Sequence, residues 1–190
     1  MGSKLAVIGA SKGGLDAVRI LLSGLPRAFP IPVAIVQHRS KEPGDDLTRL
    51  VQESSALPVR QVEDKDKAHA GHVYLAPADY HLLVERGWFA LSTEPPVNYS
   101  RPSVDALFET AAESYGPEVI AVVLTGASSD GARGVRRIKD RGGYVVVQRP
   151  ETAESEAMPA AAIAAARVDR ILPVTEISGV LVMLVAEEAR

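Results

Sequence analysis

Leu5-Ala6-Val7-Ile8-Gly9-Ala10-Ser11-Lys12-Gly13-Gly14 is the stretch on which the fold is read. Its short, unbroken apolar run has the character of a strand covered on both faces, as in a parallel sheet. Glycines then open a turn, and Leu15, Val18, Leu22 and Leu25 recur at helical spacing until Pro26 ends the run. A strand running through a glycine-rich turn into a helix is how an open α/β sheet begins.

Working outward, Pro32-Val33-Ala34-Ile35-Val36 reads as a second buried strand, and Asp45 to Glu53 as a helix with Leu47, Leu50 and Val51 on one face. The middle changes texture. Val73–Ala76, His81–Val84 and Trp88–Leu91 are short strand candidates, the last two joined by Glu85-Arg86-Gly87 as a hairpin. This region reads as an antiparallel excursion on the edge of the main sheet. Alternation then returns: a helix from Val104 to Tyr115, the strand Val119–Leu124, a basic helix from Ala132 to Arg141 and the strand Tyr144–Val147. An alanine-rich helix from Pro159 to Arg167, a short strand Arg170–Pro173 and a final helix capped by Thr175 complete the chain. The expectation is one domain over residues 1–190. It is a three-layer, doubly wound, mostly parallel sheet with helices on both faces and an antiparallel edge hairpin.

Bulk properties narrow the function. The chain has 190 residues, 46% of them hydrophobic and 24% charged, with a net charge of −3. That balance lacks the basic excess of a nucleic-acid binder. The group Arg133, Arg136, Arg137, Lys139 and Arg141 reads as the solvated face of one helix. With no cysteine, disulfides, thiolate metal sites and cysteine nucleophiles are excluded, which fits a cytoplasmic protein. No apolar run has the length of a membrane span.

Three strand ends carry the chemistry. Ser11 sits where the first strand turns into a helix, so backbone N–H groups and the helix dipole favour negative charge beside it. His38 ends the second strand, placed to act as a general base through Nε2. Asp130 follows the strand 119–124, placed to orient the other nitrogen of that imidazole. Each has a plainer reading. The glycine turn could cradle a pyrophosphate, His38 could cap a strand, and Asp130 could cap the helix beginning near Gly131. Against a dinucleotide site, Gly9…Gly13-Gly14 lacks the G-x-G-x-x-G spacing, and the second strand ends in Gln37-His38 rather than an acidic residue. His69, His72 and His81 read as structural or surface residues, with no ligand pattern around them.

Taken together, Ile8-Gly9-Ala10-Ser11-x-Gly13-Gly14, Gln37-His38, Tyr74-Leu75-Ala76-Pro77-x-x-Tyr80-His81, Pro102-Ser103-Val104-Asp105-x-Leu107-Phe108, Leu124-Thr125-Gly126-x-x-x-Asp130-Gly131-Ala132-x-Gly134 and Met158-Pro159 resemble the CheB chemotaxis methylesterase family. The match runs in order through nearly the whole chain. It corresponds to that family's catalytic domain, without the receiver domain that precedes it.

The resemblance implies hydrolysis of glutamate methyl esters on chemoreceptor cytoplasmic domains, with deamidation of receptor glutamines as a further activity. It assigns Ser11 as nucleophile, His38 as base, Asp130 as orienting carboxylate, and the backbone N–H groups of Lys12 and Ala127 as oxyanion donors. No metal or organic cofactor is implied, and the partners are methylated receptor proteins rather than nucleic acid or membrane. Lys12 and Ala127-Ser128 depart from the family's usual residues. They motivate the alternative of a catalytically impaired signalling or binding module.

Overall fold

The computed structural model describes residues 4–39 and 47–186. Its central sheet has seven strands: β1 (Leu5–Ala10), β2 (Val33–Gln37), β3 (Val59–Gln61), β4 (Val73–Leu75), β7 (Val119–Val123), β8 (Tyr144–Gln148) and β9 (Arg170–Leu172). They lie in the order β3-β4-β2-β1-β7-β8-β9, and every pairing is parallel.

The period-2 geometry of the strands divides the core in two. From β1, Leu5 and Val7 point to one face and Ala6, Ile8 and Ala10 to the other. From β7, Val119, Ala121 and Val123 separate in the same way from Ile120 and Val122. The first face packs under α3 (Val104–Tyr115), α4 (Ala132–Asp140) and α5 (Ala157–Ala165). The second packs under α1 (Gly14–Ser23), α2 (Leu47–Gln52) and α6 (Val174–Ala186). Coverage on both sides is why these strands are unbroken apolar runs. Among the described residues, no helix is long and apolar enough to cross a membrane.

The middle of the chain departs from expectation in three places. Val73–Leu75 is not part of an antiparallel excursion; it is a parallel strand of the main sheet, seated between β2 and β3. The hairpin of β5 (His81–Glu85) and β6 (Trp88–Ser92) is a separate two-stranded sheet. The sheet edge on that side is taken by β3, a three-residue strand with too few apolar residues to stand out in the sequence. The hairpin docks on α3 instead, where Val84 N–H donates to Thr110 Oγ1 (3.0 Å) and Ser114 Oγ donates to Val84 O (2.8 Å). Leu82, Val84 and Phe89 bury themselves beneath it.

Several helix limits also shift. Thr175 lies inside the first turn of α6, which begins at Val174 directly after Pro173, so it does not precede the helix as a cap. Helix α5 starts two residues earlier than expected, with Pro159 in its first turn, where a missing N–H costs no hydrogen bond. Of the expected helix from Asp45 to Glu53, Asp45 and Asp46 lie outside the described residues.

Three arginines of the basic group at α4 are partnered. Arg133 pairs with Glu109, and Arg137 and Arg141 pair with Glu113, binding α4 to α3 across the surface. The hydrogen bond and charge of Arg137 hold the Glu113 carboxyl below its ordinary range.

Candidate active site

Strands β2, β1 and β7 are neighbours at the centre of the sheet, and their carboxyl ends share one edge. Open α/β sheets bind ligands at that edge. Register fixes what stands there. Ala10 pairs with Gln37, and Gly9 pairs with Val36 on one side and Val123 on the other. One residue beyond the Ala10–Gln37 pair come Ser11 and His38. The ladder continues into both, since His38 N–H donates to Ala10 O (2.9 Å) and Ser11 N–H donates to Thr125 O (3.0 Å). Gln37 locks the two further: its Nε2 donates to Ser11 O (2.8 Å) and to His38 O (2.9 Å).

The turn after β7 delivers Asp130 to the beginning of α3. Gly9 permits this close approach, because a Cβ there would lie 2.3 Å from Val104 Cγ1. Asp130 is 1% exposed and meets four good donors. These are Ser103 Oγ (2.9 Å), Val104 N–H (2.7 Å), Asp105 N–H (3.0 Å) and His38 Nε2 (2.7 Å). Burial alone would push this carboxyl up. The hydrogen bond from His38 and those from the Asp105 and Val104 amides outweigh it and hold the group below its ordinary range. Asp130 therefore closes α3 rather than the helix that follows it; the residue leading into α4 is Gly131, with φ +97°.

Contact with the imidazole is made through the opposite nitrogen to the one expected. Asp130 binds Nε2, and Nδ1 lies 3.5 Å from Ser100 Oγ. The carboxylate is fixed at the α3 terminus, and the distal ring nitrogen is the one that meets it. In the neutral ring Nε2 then carries the proton and Nδ1 is the acceptor. His38 remains partly accessible, with 13% of its side chain exposed. Among the described residues, Ser11 Oγ makes no hydrogen bond. The structure thus joins His38 to Asp130 directly and sets Ser11 beside them through the backbone and Gln37.

Lys12 and Ala127 are exposed, and among the described residues their backbone N–H groups donate to nothing. Thr125 holds their two turns together. Its Oγ1 donates to Lys12 O (2.9 Å) and accepts from Ser155 N–H (2.9 Å), while Gly126 N–H donates to Ser155 O (3.0 Å). The segment from Arg149 to Glu156 therefore packs against both turns, and Glu154 sits over Gly13, within 2.6 Å of where a Cβ would stand.

Sequence reasoning gave no role to Gln37, Asn98, Ser103 or Asp105. A serine directly before an apolar-periodic helix is an N-cap signal, and Ser103 does accept from Ala106 N–H (3.4 Å). Nothing local marks its second bond, to Asp130. His81 is 2% exposed, accepting from Ser103 N–H (3.2 Å) through Nδ1 and donating to Pro95 O (3.1 Å) through Nε2. It is structural, as expected. Among the described residues, no cluster of three His, Asp or Glu side chains has the grouping a metal ion needs.

Ser11, His38 and the buried Asp130 thus stand at three adjacent strand ends of a parallel sheet, with the imidazole and the carboxylate in direct contact. Residues 6–181 match the model of the CheB methylesterase family, and the chain belongs to that family. The crystal structure of the Thermotoga maritima CheB methylesterase catalytic domain superposes with a TM-score of 0.92 at 34% identity, covering 97% of this chain and 100% of that one. A Leptospira interrogans protein is 43% identical over 97% of this chain and 96% of its own length. The protein-glutamate methylesterase/protein-glutamine glutaminase 2 of Anaeromyxobacter dehalogenans is 43% identical over 92% of this chain, which spans 51% of that longer protein.

Proposed function

We propose that the protein hydrolyses γ-methyl esters of glutamate on chemoreceptor cytoplasmic domains, with Ser11, His38 and Asp130 as its catalytic groups. The observation that carries this is the 2.7 Å contact between His38 Nε2 and the buried Asp130 carboxylate, with Ser11 one strand away. The membership in the CheB family supports the substrate class.

In the first half-reaction Ser11 Oγ attacks the ester carbonyl carbon while His38 Nδ1 takes the hydroxyl proton. Asp130 stabilises the imidazolium that results, through the hydrogen bond it already makes. The backbone N–H groups of Lys12 and Ala127 receive the oxyanion, assisted by the N-terminal end of α1. Collapse breaks the bond to the methoxy oxygen, which takes the proton from Nδ1 and leaves as methanol. Water then attacks the glutamyl–Ser11 ester, giving its proton to Nδ1. Cleavage of that ester returns the proton to Ser11 Oγ and frees the glutamate side chain as its carboxylic acid, which then loses its proton to solvent. On a γ-carboxamide the same steps release ammonia, which is the glutaminase activity in the names of relatives. The reaction belongs on the cytoplasmic side, where the receptor's methylated part lies.

Methanol release from a methylated receptor fragment tests the reading. Wild-type protein is expected to release it, and Ser11→Ala is expected to release none above background. Full activity in that variant would refute the assignment.

A further inference from the structure

A cleft of about 220 Å³ opens beside His38, lined by His38, Arg39, Pro96, Tyr99, Ser100 and Arg101 with Pro102. Its outer wall is unusual. Val97 and Ser100 exchange backbone hydrogen bonds (3.1 and 2.9 Å) around a two-residue turn whose central residues, Asn98 and Tyr99, have φ of +49° and +63°. Two positive φ values mark a type I′ turn, in which asparagine suits the first place and glycine the second. Tyr99 occupies the glycine place, where an L side chain is strained. Its ring is also wholly in water, at 102% exposure.

The turn is held rigidly on both sides. Asn98 Nδ2 donates to Asp105 Oδ2 (2.8 Å). Arg101 donates through Nε and Nη2 to Asp79 Oδ1 (3.0 and 2.6 Å) and through Nη1 to Thr93 O (2.7 Å) and Glu94 O (3.0 Å). Folding gains nothing visible from a tyrosine here. Strain that the surrounding structure enforces and folding does not need is characteristic of functional positions. A tyrosine fixed at its backbone offers a large contact area with only two side-chain torsions left to order.

We propose that this cleft is a substrate subsite in which Tyr99 contacts the polypeptide flanking the reacting glutamyl ester. It makes Tyr99 a determinant of selectivity for protein-borne over small esters. The proposal rests on the methylesterase reading above. On a helical substrate, side chains one turn from the ester lie about 5–6 Å from it. When the ester is at Ser11 and His38, a neighbouring turn falls on the adjoining cleft, within reach of the projecting Tyr99 ring.

The test compares wild type, Tyr99→Gly and Tyr99→Phe on two substrates. One is a purified chemoreceptor cytoplasmic fragment carrying tritiated glutamyl methyl esters; the other is the γ-methyl ester of N-acetylglutamate. Tyr99→Gly keeps the turn, so the melting temperature is expected to hold or rise. The ratio of kcat/KM for the receptor fragment to that for the small ester is expected to fall by about tenfold, mostly through KM. Tyr99→Phe, which keeps the ring, is expected to stay near wild type. A ratio unchanged in Tyr99→Gly, or equal losses on both substrates, overturns the subsite alone. Wild-type protein that releases no methanol from the receptor fragment overturns the esterase reading and the subsite with it.

Discussion

Asp130 and Asp105 each close the start of the helix to which the other leads or belongs. Asp130, just before α4, receives the Val104 and Asp105 amides at the head of α3. Asp105, in the first turn of α3, receives the Gly134 amide of α4 (2.8 Å). The exchange locks the two helices by their N-termini, where carboxylates complement the helix dipoles. It also leaves two buried carboxylates sharing one donor, Asn98 Nδ2, at 2.8 and 3.4 Å.

Their titrations oppose one another. Burial, with the negative charge of Asp130 adding to it, pushes Asp105 up despite the Gly134 hydrogen bond, whereas Asp130 is held down. From Asp130 the fold gains stability above the unfolded value of 3.8, lost as pH falls through its lower folded value. From Asp105 the folded state binds the proton more tightly than the unfolded chain. Its contribution is full below 3.8 and declines as pH rises through its higher folded value. Thermal melts of wild type and Asp105→Asn across this acid range provide the check. The difference in melting temperature, variant minus wild type, is expected to grow more positive as pH rises above 3.8. A pH-independent difference contradicts the assignment.

Ser11→Ala and His38→Ala are each expected to lower kcat for ester hydrolysis by about 10⁶-fold, and the double variant by hardly more, because nucleophile and base act as a unit. Single-turnover assays on the three variants measure this. Additive losses would mean that the two residues work in separate steps.

Asp130→Asn tests the carboxylate directly. The substituted amide must present its NH₂ to one of the donors now bound by Asp130, and it cannot hold an imidazolium by charge. The expected loss in kcat is about 10³–10⁴-fold, with Ser11 still in place for slow acylation. A lower melting temperature should accompany it, since the α3 amides lose an anionic acceptor. Retained activity would move the orienting role elsewhere.

Gly9→Ala joins packing to chemistry. The added methyl would meet Val104 Cγ1 at 2.3 Å, and Val104 carries the amide closest to Asp130 (2.7 Å). Overpacking of this kind costs about 1–3 kcal/mol, so calorimetry should show melting lowered by roughly 3–10 °C. Activity measured well below that melting point should also fall. Normal activity in the folded variant would show that the Val104–Asp130 contact tolerates displacement.

Legibility in the sequence followed burial. The strands β1, β2, β7 and β8 are covered on both faces and appear as unbroken apolar runs, so their positions and the residues at their ends were readable. Val59–Gln61 pairs only through its backbone at the sheet edge and shows one partly buried side chain, which left no apolar pattern to read. Val73–Leu75 is too short to declare whether its neighbours are parallel. The supporting groups of the candidate site were hidden for a different reason. Ser103, Asp105 and Asn98 act on Asp130 across 25 to 32 residues of chain, and only the docking of α3 brings them there. The choice of ring nitrogen on His38 was equally out of reach, since it depends on where that docking fixes the carboxylate.

The pairing of β1 with both β2 and β7 has a consequence for how the protein is made. On the ribosome, the strand that pairs with the far side of β1 and the carboxylate that binds the imidazole emerge more than eighty residues after His38. Until residue 130 is out and α3 has docked, His38 has no carboxylate at its Nε2. The His38–Asp130 contact is therefore acquired late in synthesis, and a fragment that stops before residue 130 lacks the carboxylate that holds the imidazole.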